Sequence, residues 1–498
     1  MKQSRRNFLK KSTIGTVASA AGLVSLAGMA CTGAPSATDD KNTYRLTRQI
    51  PVDKEYDVIV AGGGPGGVGA AVCAAREGAK VLLIEATGCL GGMGTSGLVT
   101  AFDPMADGEN MLAGGFMLEI LLKMHQRGFL APGKDPKVFM KEYGHWTHFH
   151  AEGYKLVLDE LATDAGVELR FFTRVIEADA HAGNGIVNGI VQQNIEGLRY
   201  VKAKTFIDCT GDAVLADLCG AKCNEAGIDT PDIMAASLCS YYANIDFSQK
   251  GNPGTNSPIL LKAIEDGHFT QPDKHLPGLR QVGETIGHLN GGHLFGVDAL
   301  NCKSLSEGMM WGRRMAQEYL SFYRKYVPGF ENMEQVATAS VMGVRESRRI
   351  VGEYELNFND YLDRREFADQ IGVHNKAVDI HALNSSDEEF QRHIEEYKIA
   401  RYKPGEYSGI PYSILVPKGW KNLWIAGRCN SSDLKVHGAI RAQATCNIMG
   451  QAAGTAAVQS INTGQPACDL NTETLVITLR NNGAFLPQKT LSPKMTRV

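Results

Sequence analysis

The chain has 498 residues, 43% of them hydrophobic, and its 51 basic and 54 acidic side chains leave a formal charge of -3. That length and apolar content suffice for a large core and for two or three compact units. The near-neutral balance excludes the basic face that nucleic-acid binding needs. The 11 cysteines are too scattered for a disulfide framework and show no Cys-x-x-Cys spacing, so no metal is expected.

Residues 1–30 hold Lys2, Arg5, Arg6, Lys10 and Lys11 and no acid. Ser4-Arg5-Arg6-Asn7-Phe8-Leu9-Lys10 matches the twin-arginine export signal, and the stretch from Ile14 to Ala30 is too polar and too short for a good membrane span. The twin-arginine route moves folded proteins, so a tightly held cofactor would travel inside its host. Cys31 follows Leu26-Ala27-Gly28-Met29-Ala30 and is a candidate lipid-bearing residue. Gly28, however, stands where such signals prefer an aliphatic residue, and simple cleavage with a soluble product is the equal alternative. A polar tether fills 31–54. The expected location is periplasmic, or lipid-anchored at the outside of a membrane.

From Tyr56 the pattern becomes α/β. Val58, Ile59 and Val60 predict a buried parallel strand, followed by Gly62, Gly64 and Gly67 on the G-x-G-x-x-G spacing, with Ala71 at the small helix-packing position. Gly62 permits the sharp turn, Gly64 lets backbone approach phosphates without an intervening Cβ, and Gly67 lets the helix lie close on its strand. Helix N–H groups and the dipole then face a diphosphate. A second strand, Lys80 to Ile84, ends at Glu85, where an acid would hydrogen-bond a ribose. A glycine-rich loop carrying Gly91, Gly92, Met93, Thr95, Ser96 and Gly97 follows, open enough for backbone to pass a large flat ligand. Within it, Cys89 is either a small filler or a covalent tether for that ligand.

A helix is expected from Gly153 to Ala165. The runs Val167 to Phe172, Arg174 to Asp179, Ile186 to Gln192 and Leu198 to Ala203, divided by Asn184-Gly185 and Glu196-Gly197, read as a β-meander. A separate strand, Thr205 to Asp208, then leads to Thr210, Gly211 and Asp212. Cys219 and Cys223 are spaced i, i+4 for a helix and read as small core residues. From about Asn224 to Gly405 the α/β rhythm stops, and the clearest element is a helix from Ser306 to Tyr326 ended by Pro328-Gly329. A buried strand, Leu423 to Ala426, precedes Gly427 and Arg428, and a small-residue helix from about Ala439 to Val458 is expected to return to the nucleotide sheet.

The segments Val60 to Gly67, Leu90 to Gly97, Ile207 to Asp212, Gly343-Val344-Arg345-Glu346-Ser347-Arg348-Arg349-Ile350, Asn422 to Arg428, His437-Gly438-Ala439-Ile440-Arg441 and Met449 to Ala456 together resemble the FAD-dependent oxidoreductase family built on the glutathione-reductase-like flavin fold. The chain also looks somewhat like the flavin module of heterodisulfide reductase, without its iron–sulfur cysteines. The likeness covers roughly residues 55–460. It implies an α/β, Rossmann-like FAD-binding domain in two parts, 55–223 (with the meander at 167–204) and 405–460, around an α+β substrate or cap domain at 224–404, with a C-terminal segment at 461–498. It implies cofactor contacts from Val175, Thr210, Gly211, Asp212, Gly427, Arg428, Ala439 and Ile440, in addition to the glycine turn, Glu85 and the second loop. The substrate is not implied, because the family is chemically broad.

FAD also suits the residues themselves. A second dinucleotide fingerprint is absent, whereas the extra glycine surfaces at Gly91 to Gly97 and Gly427 suit the longer ribityl and ring portion. Outside the cytoplasm, electrons are expected to pass to or from a quinone, a cytochrome or another exported carrier, with a small molecule as substrate. An electron-transfer partner without its own substrate, or a non-catalytic surface binding protein, are the alternatives.

Flavin chemistry needs cationic or hydrogen-bonding groups that settle charge. Arg345 and Arg349, i and i+4 on an expected helical face with Arg348 pointing elsewhere, are candidates to embrace a carboxylate or the flavin pyrimidine edge. His437 and Arg441, at the start of the last helix, are candidates for proton shuttling or polarisation near the ring. His293, with Asn290 and Asp298, is expected to line the substrate side. His145, His148 and His150 lack the spacing and support of a zinc site and read as structural or pocket-lining.

Overall fold

The structure, a computed structural model, describes residue 44 and residues 46–487 except 231 and 250. The export motif and Cys31 lie outside the described residues. The chain divides into two units, Met1–Gln49 and Ile50–Val498, and the second carries every element below.

Its centre is a parallel sheet. Strand β1 (Tyr56–Ala61) lies between β2 (Val81–Ile84) and the long strand Gly197–Asp208, with Val58 opposite Val81 on one side and Thr205 on the other. Glu168–Arg170 extends the sheet beyond β2, and Leu423–Ile425 adds to it beside residues 206–208. Leu423 and Ile425 are fully buried, as a strand covered on both faces requires. Asn422 staples this late strand to the sheet. Its backbone carbonyl accepts from Phe206 N, and its side-chain amide donates to Val187 O and Lys204 O.

Two expectations for this region change. Leu198 to Ala203 and Thr205 to Asp208 are one strand, not two. Residues 197–202 pair antiparallel with Ile186–Asn194, and 203–208 pair parallel with β1. The meander is therefore three strands, Arg174–His181, Ile186–Asn194 and Gly197–Asp208, while Val167 to Phe172 contributes to the parallel sheet instead. Cys219 ends a helix, Val214–Cys219, but Cys223 opens a strand, because Gly220 in left-handed backbone (φ 81°) stops the helix between them.

Helix α1 (Pro65–Arg76) packs on the sheet and against the last long helix, Gln443–Thr463. The approach is backbone to backbone. A Cβ on Gly450 would stand 2.0 Å from the Gly66 carbonyl oxygen, and one on Gly454 2.2 Å from that of Ala70. Asn447 Nδ2 donates to Pro65 O at 3.2 Å across the same seam. The expected helix from Ala439 to Val458 is in fact two helices, Leu434–Ile440 and Gln443–Thr463, with Arg441 and Ala442 at the break.

The middle of the chain builds a second layer. Strands Ser240–Ala243, Leu279–Gln281, Gly287–Leu289 and Glu334–Thr338 form an antiparallel sheet. Helix Cys302–Tyr326 covers it with Met315, Tyr319, Phe322 and Tyr323 in the core. Gly450→Ala is expected to force α1 and the last helix apart and to cost about 3 kcal/mol or more, the upper range for overpacking. Thermal unfolding would register this as a clear fall in Tm, and an unchanged Tm would contradict the close seam.

Candidate functional site

The β1–α1 turn and the second glycine loop face each other. Gly91 N donates to Gly63 O at 2.8 Å, and a Cβ on Gly92 would stand 3.0 Å from Gly64 Cα. Gly67 is held so tightly that a Cβ would stand 1.8 Å from Gly62 O, whereas a Cβ on Gly64 would meet nothing within 4 Å. The one glycine expected to approach a phosphate is thus the one that opens onto empty space. Glu85 Oε2 accepts from Gly63 N at 2.6 Å and its Oε1 from Thr87 N at 2.7 Å, so this acid braces the turn from the end of β2. Thr95 Oγ1 donates to Leu90 O at 2.6 Å, Ser96 O accepts from Ser340 N at 3.0 Å, and a Cβ on Gly97 would stand 2.9 Å from Met93 Cα. These contacts fold the loop on itself and tie it to the middle segment. Cys89 Sγ rests 3.2 Å from Ser96 Oγ.

The late segment closes on the same cradle. A Cβ on Gly66 would stand 3.0 Å from Ala426 O, and Gly427 takes φ 105° with no heavy atom nearer than 4.0 Å to where a Cβ would go. Arg428 Nη2 donates to Asp212 Oδ1 at 2.5 Å, and both residues share Ser347 Oγ, at 2.9 and 2.6 Å. One ion pair thereby joins the turn after the long strand, the Gly343–Ile350 motif and the Leu423–Ile425 strand. Thr210 N and Oγ1 both donate to the buried Asp208 Oδ1, and Gly211 takes φ 79° beneath Arg428. Val175 is half-buried against the sheet, and Ala439 and Ile440 are fully buried.

The Gly343–Ile350 motif is not helical, which corrects the expected pairing of Arg345 and Arg349 on one helical face. Residues 348–350 form a strand antiparallel to Cys223–Glu225, and the arginines diverge. Arg348 pairs with Glu225 and Asp217, Arg349 with Glu346 and Ser432 O. Arg345 is buried and donates through Nη1 to Ala235 O at 2.5 Å and Ser237 Oγ at 3.0 Å. Burial, with Arg441 nearby, pushes its guanidinium down to about 10.

His437 and Arg441 do sit near Arg345. His437 is fully buried, with Nε2 3.1 Å from Arg345 O and Nδ1 without a partner, and burial beside Arg349 and Arg441 holds it neutral, well below the usual imidazole range. Arg441 Nη2 reaches Asp379 Oδ2 at 3.3 Å, and Lys376 Nζ bridges Asp379 Oδ2 at 3.1 Å and Asp103 Oδ1 at 2.9 Å. Burial alone would raise the Asp379 carboxyl, but Lys376, His381 and Arg441 hold it well below the usual range. A recess of about 10 Å³, room for roughly one water, lies beside Lys376, Asp103 and Asn375.

His293 turns away from its expected companions. Asn290 accepts from Cys239 Sγ, and Asp298 Oδ1 from Leu300 N. The partners of His293 are Asp273 and His381, neither of which carries a sequence signal. Lys376, Asp379 and His381 come from one irregular segment with no motif or period. Of the three early histidines, His145 pairs with Glu142 and Lys134, and burial lowers His148 to about 4.

The sequence profile of the family described as FAD dependent oxidoreductase matches residues 57–479. The chain belongs to that family. It is an FAD-dependent oxidoreductase, and the open cradle at Gly64 and Gly427 fits the cofactor. A segment of 42 residues is 57% identical to glutathione reductase of Schizosaccharomyces pombe, covering 8% of this chain and 9% of that protein. Similar solved structures include p-nitrophenol 4-monooxygenase of Pseudomonas putida (12% identity, 87% of this chain and 89% of the other, TM-score 0.47). Another is a geranylgeranyl bacteriochlorophyll reductase-like protein of Thermoplasma acidophilum (15% identity, 86% and 84%, TM-score 0.45).

In this enzyme the α1 amides after Gly64 would hold the diphosphate, Glu85 a ribose, and Asp212 with the Gly91–Gly97 loop the ribityl and ring portions. Bound FAD supplies the hydride or electron transfer, and the chain's own groups orient it, exclude water and manage charge. Gly64 has φ −68°, which any residue adopts, so Gly64→Val is expected to fold with a Tm within a few degrees of the parent and to purify without yellow flavin. A flavin-loaded variant would contradict the cradle assignment.

Burial lowers His374 and His288 to about 3, and lowers His293, His381 and His437 too. Their folded values lie below the unfolded value of about 6.5, so below that pH the unfolded chain binds more protons and stability falls. Tm is expected to hold between about pH 8 and 7 and to drop from about pH 6.5 to 5, with a shallower drop in His374→Asn. Equal slopes would refute the assignment.

Proposed function

We propose that this enzyme is an exported FAD-dependent oxidoreductase that moves hydride or electrons between a small polar organic substrate bearing negative charge and a non-nicotinamide carrier, a quinone or cytochrome. The observation that carries the reading is Arg345. Its side chain is buried and its hydrogen bonds go to neutral oxygens, and burial with Arg441 outweighs the attraction of the nearby Asp379 and Asp273 carboxylates, neither of which it hydrogen-bonds. A buried cation so placed is costly until an anion arrives, and a substrate carboxylate beside the flavin would relieve it and be oriented by it. His437, neutral and with Nδ1 unpartnered, is able to accept or donate a hydrogen bond as charge develops.

Export rests on the Ser4 to Lys10 motif, and attachment to the outside of a membrane on Cys31. Among the described residues no helix is long and apolar enough to cross a membrane. The carrier is proposed from that location and from the absence of a second dinucleotide fingerprint.

Anaerobic screening of the yellow holoenzyme against carboxylates, sugars and amines is expected to find a bleaching substrate among the carboxylates, with colour restored by a quinone or ferricytochrome. Arg345→Gln should keep its flavin and raise KM for that substrate about 30-fold, the scale of one charge-assisted hydrogen bond. Bleaching by uncharged compounds only would overturn the anionic substrate. No bleaching by any small molecule, with rapid exchange with a protein carrier, would favour an electron-transfer partner.

A further inference from the structure

Four imidazoles from separate parts of the chain gather in its middle segment. The rings of His275 and His293 stack at 4.6 Å, His381 stands edge-on to both at 5.5 and 5.0 Å, and His393 lies 5.2 Å from His275 and 5.5 Å from His381. One nitrogen from each of His275, His293 and His381 lies within 4.8 Å of the other two. His293 and His381 are buried, and His275 is half-buried. The expectation of no metal rested on cysteine spacing and on His145, His148 and His150, none of which belongs to this group.

The backbone holds each of the three residues in place. Asp273 Oδ1 accepts from His275 N at 2.9 Å and its Oδ2 from His293 N at 3.4 Å, so one carboxylate ties two of them together. Gln271 Nε2 donates to His293 O at 2.8 Å. His393 Nδ1 donates to Ile380 O at 2.6 Å and so fixes the residue before His381. Supporting hydrogen bonds of this kind are what a binding constellation needs to keep its geometry.

The surrounding charge favours a cation. Asp273 is 6% exposed, and among the described residues no lysine or arginine forms a salt bridge with it. A buried carboxylate in that position is costly until positive charge arrives beside it. His293 Nε2 and His381 Nδ1 face each other at 2.8 Å. Behind them, Asp273 Oδ2 is 2.9 Å from His293 Nδ1 and Asp379 Oδ1 is 3.3 Å from His381 Nε2, the positions from which acids support metal-bound imidazoles. As the rings stand neither contact is a hydrogen bond, and what the two acids supply is compensating negative charge. Arg345 opposes a cation here through space, but its donors are turned to Ala235 O and Ser237 Oγ.

We propose that His275, His293 and His381 bind a divalent metal ion of the zinc class, with water in the fourth position. Imidazole suits such ions, and three of them with a water complete a tetrahedron. Bonds of about 2.1 Å set the ligand nitrogens roughly 3.4 Å apart, so the facing pair of His293 and His381 opens by about half an ångström. His275, whose ring plane is 14° from that of His293, turns its edge inward. It sits on the irregular segment 271–278 and is only half-buried, which leaves that turn open to it. The bound ion clamps the 273–293 segment to the stretch that carries Lys376 and Asp379 towards Arg441. This goes beyond the redox reading and is independent of which substrate the enzyme takes.

Full-length, tag-free, flavin-loaded protein, stripped with EDTA and dialysed against zinc chloride, tests the site without any substrate. Zinc is expected to stay near one ion per flavin through gel filtration. In His293→Ala and His381→Ala, with flavin content and far-ultraviolet circular dichroism unchanged, zinc affinity should fall about 100-fold, at least the loss that follows removal of a mere supporting partner. His125→Ala, which removes an exposed histidine far along the sequence, should bind as the parent does. Zinc below a tenth of an ion per flavin would overturn the proposal, and so would zinc held equally well by both variants. If the variants do not fold, anomalous scattering from a zinc-soaked crystal of the parent decides. A peak at bonding distance from the three rings supports the site, and a peak elsewhere or none overturns it. A failed search for an anionic substrate would count against the reading above and leave these measurements standing.

Discussion

The approach of helix α1 to the Gln443–Thr463 helix governs the rest of the molecule. At Gly66 and Gly450, and again at Ala70 and Gly454, one backbone lies directly on the other. Only residues without side-chain bulk permit it, and the result is that both ends of the long folded unit share one sheet. The Leu423–Ile425 strand can then dock beside residues 206–208, Ala426 comes against Gly66, and Arg428 reaches Asp212. A cofactor long enough to need several glycine surfaces finds them on one face because this seam is tight.

The enzyme also concentrates charge among buried side chains. Arg349 with Glu346, Lys376 with Asp103 and Asp379, and Arg441 with Asp379 neutralise one another. Such pairs gain little net stability over apolar packing, which leaves orientation and electrostatic preorganisation as their contribution. Arg345 is the member whose hydrogen-bonding partners are neutral, and the buried histidines beside it stay uncharged. The site is therefore polar, with one buried cation that no carboxylate meets in a hydrogen bond.

Much of the cradle was legible in the sequence because it depends on backbone geometry. Gly62, Gly64, Gly67, Gly427 and the small residues of the last helix are needed where a Cβ would collide or a ligand must pass, and that constraint prints directly as glycine at fixed spacing. The Gly343–Ile350 motif was recognisable but its conformation was not. Its side chains are buried on both sides, so no period betrays a strand, and only the antiparallel partner Cys223–Glu225, more than a hundred residues earlier, fixes it as extended. The grouping of His293 with Asp273 and His381 was invisible for a related reason. Asp273, His381 and Asp379 come from irregular segments and His293 from the short strand His293–Leu294, without repeat or motif, and only tertiary packing makes them neighbours.

The seam also sets the order of events during synthesis. Pro65 and Asn447, hydrogen-bonded across it, are 382 residues apart, so loop closure of that size must precede any reward from the contact. Until the ribosome has released the chain past Asn447, the amino-terminal half can form its strands but has no lid for the nucleotide. Cofactor capture is thus a step that waits for the segment around Asn447, and the capacity to hold flavin reports that this seam has closed.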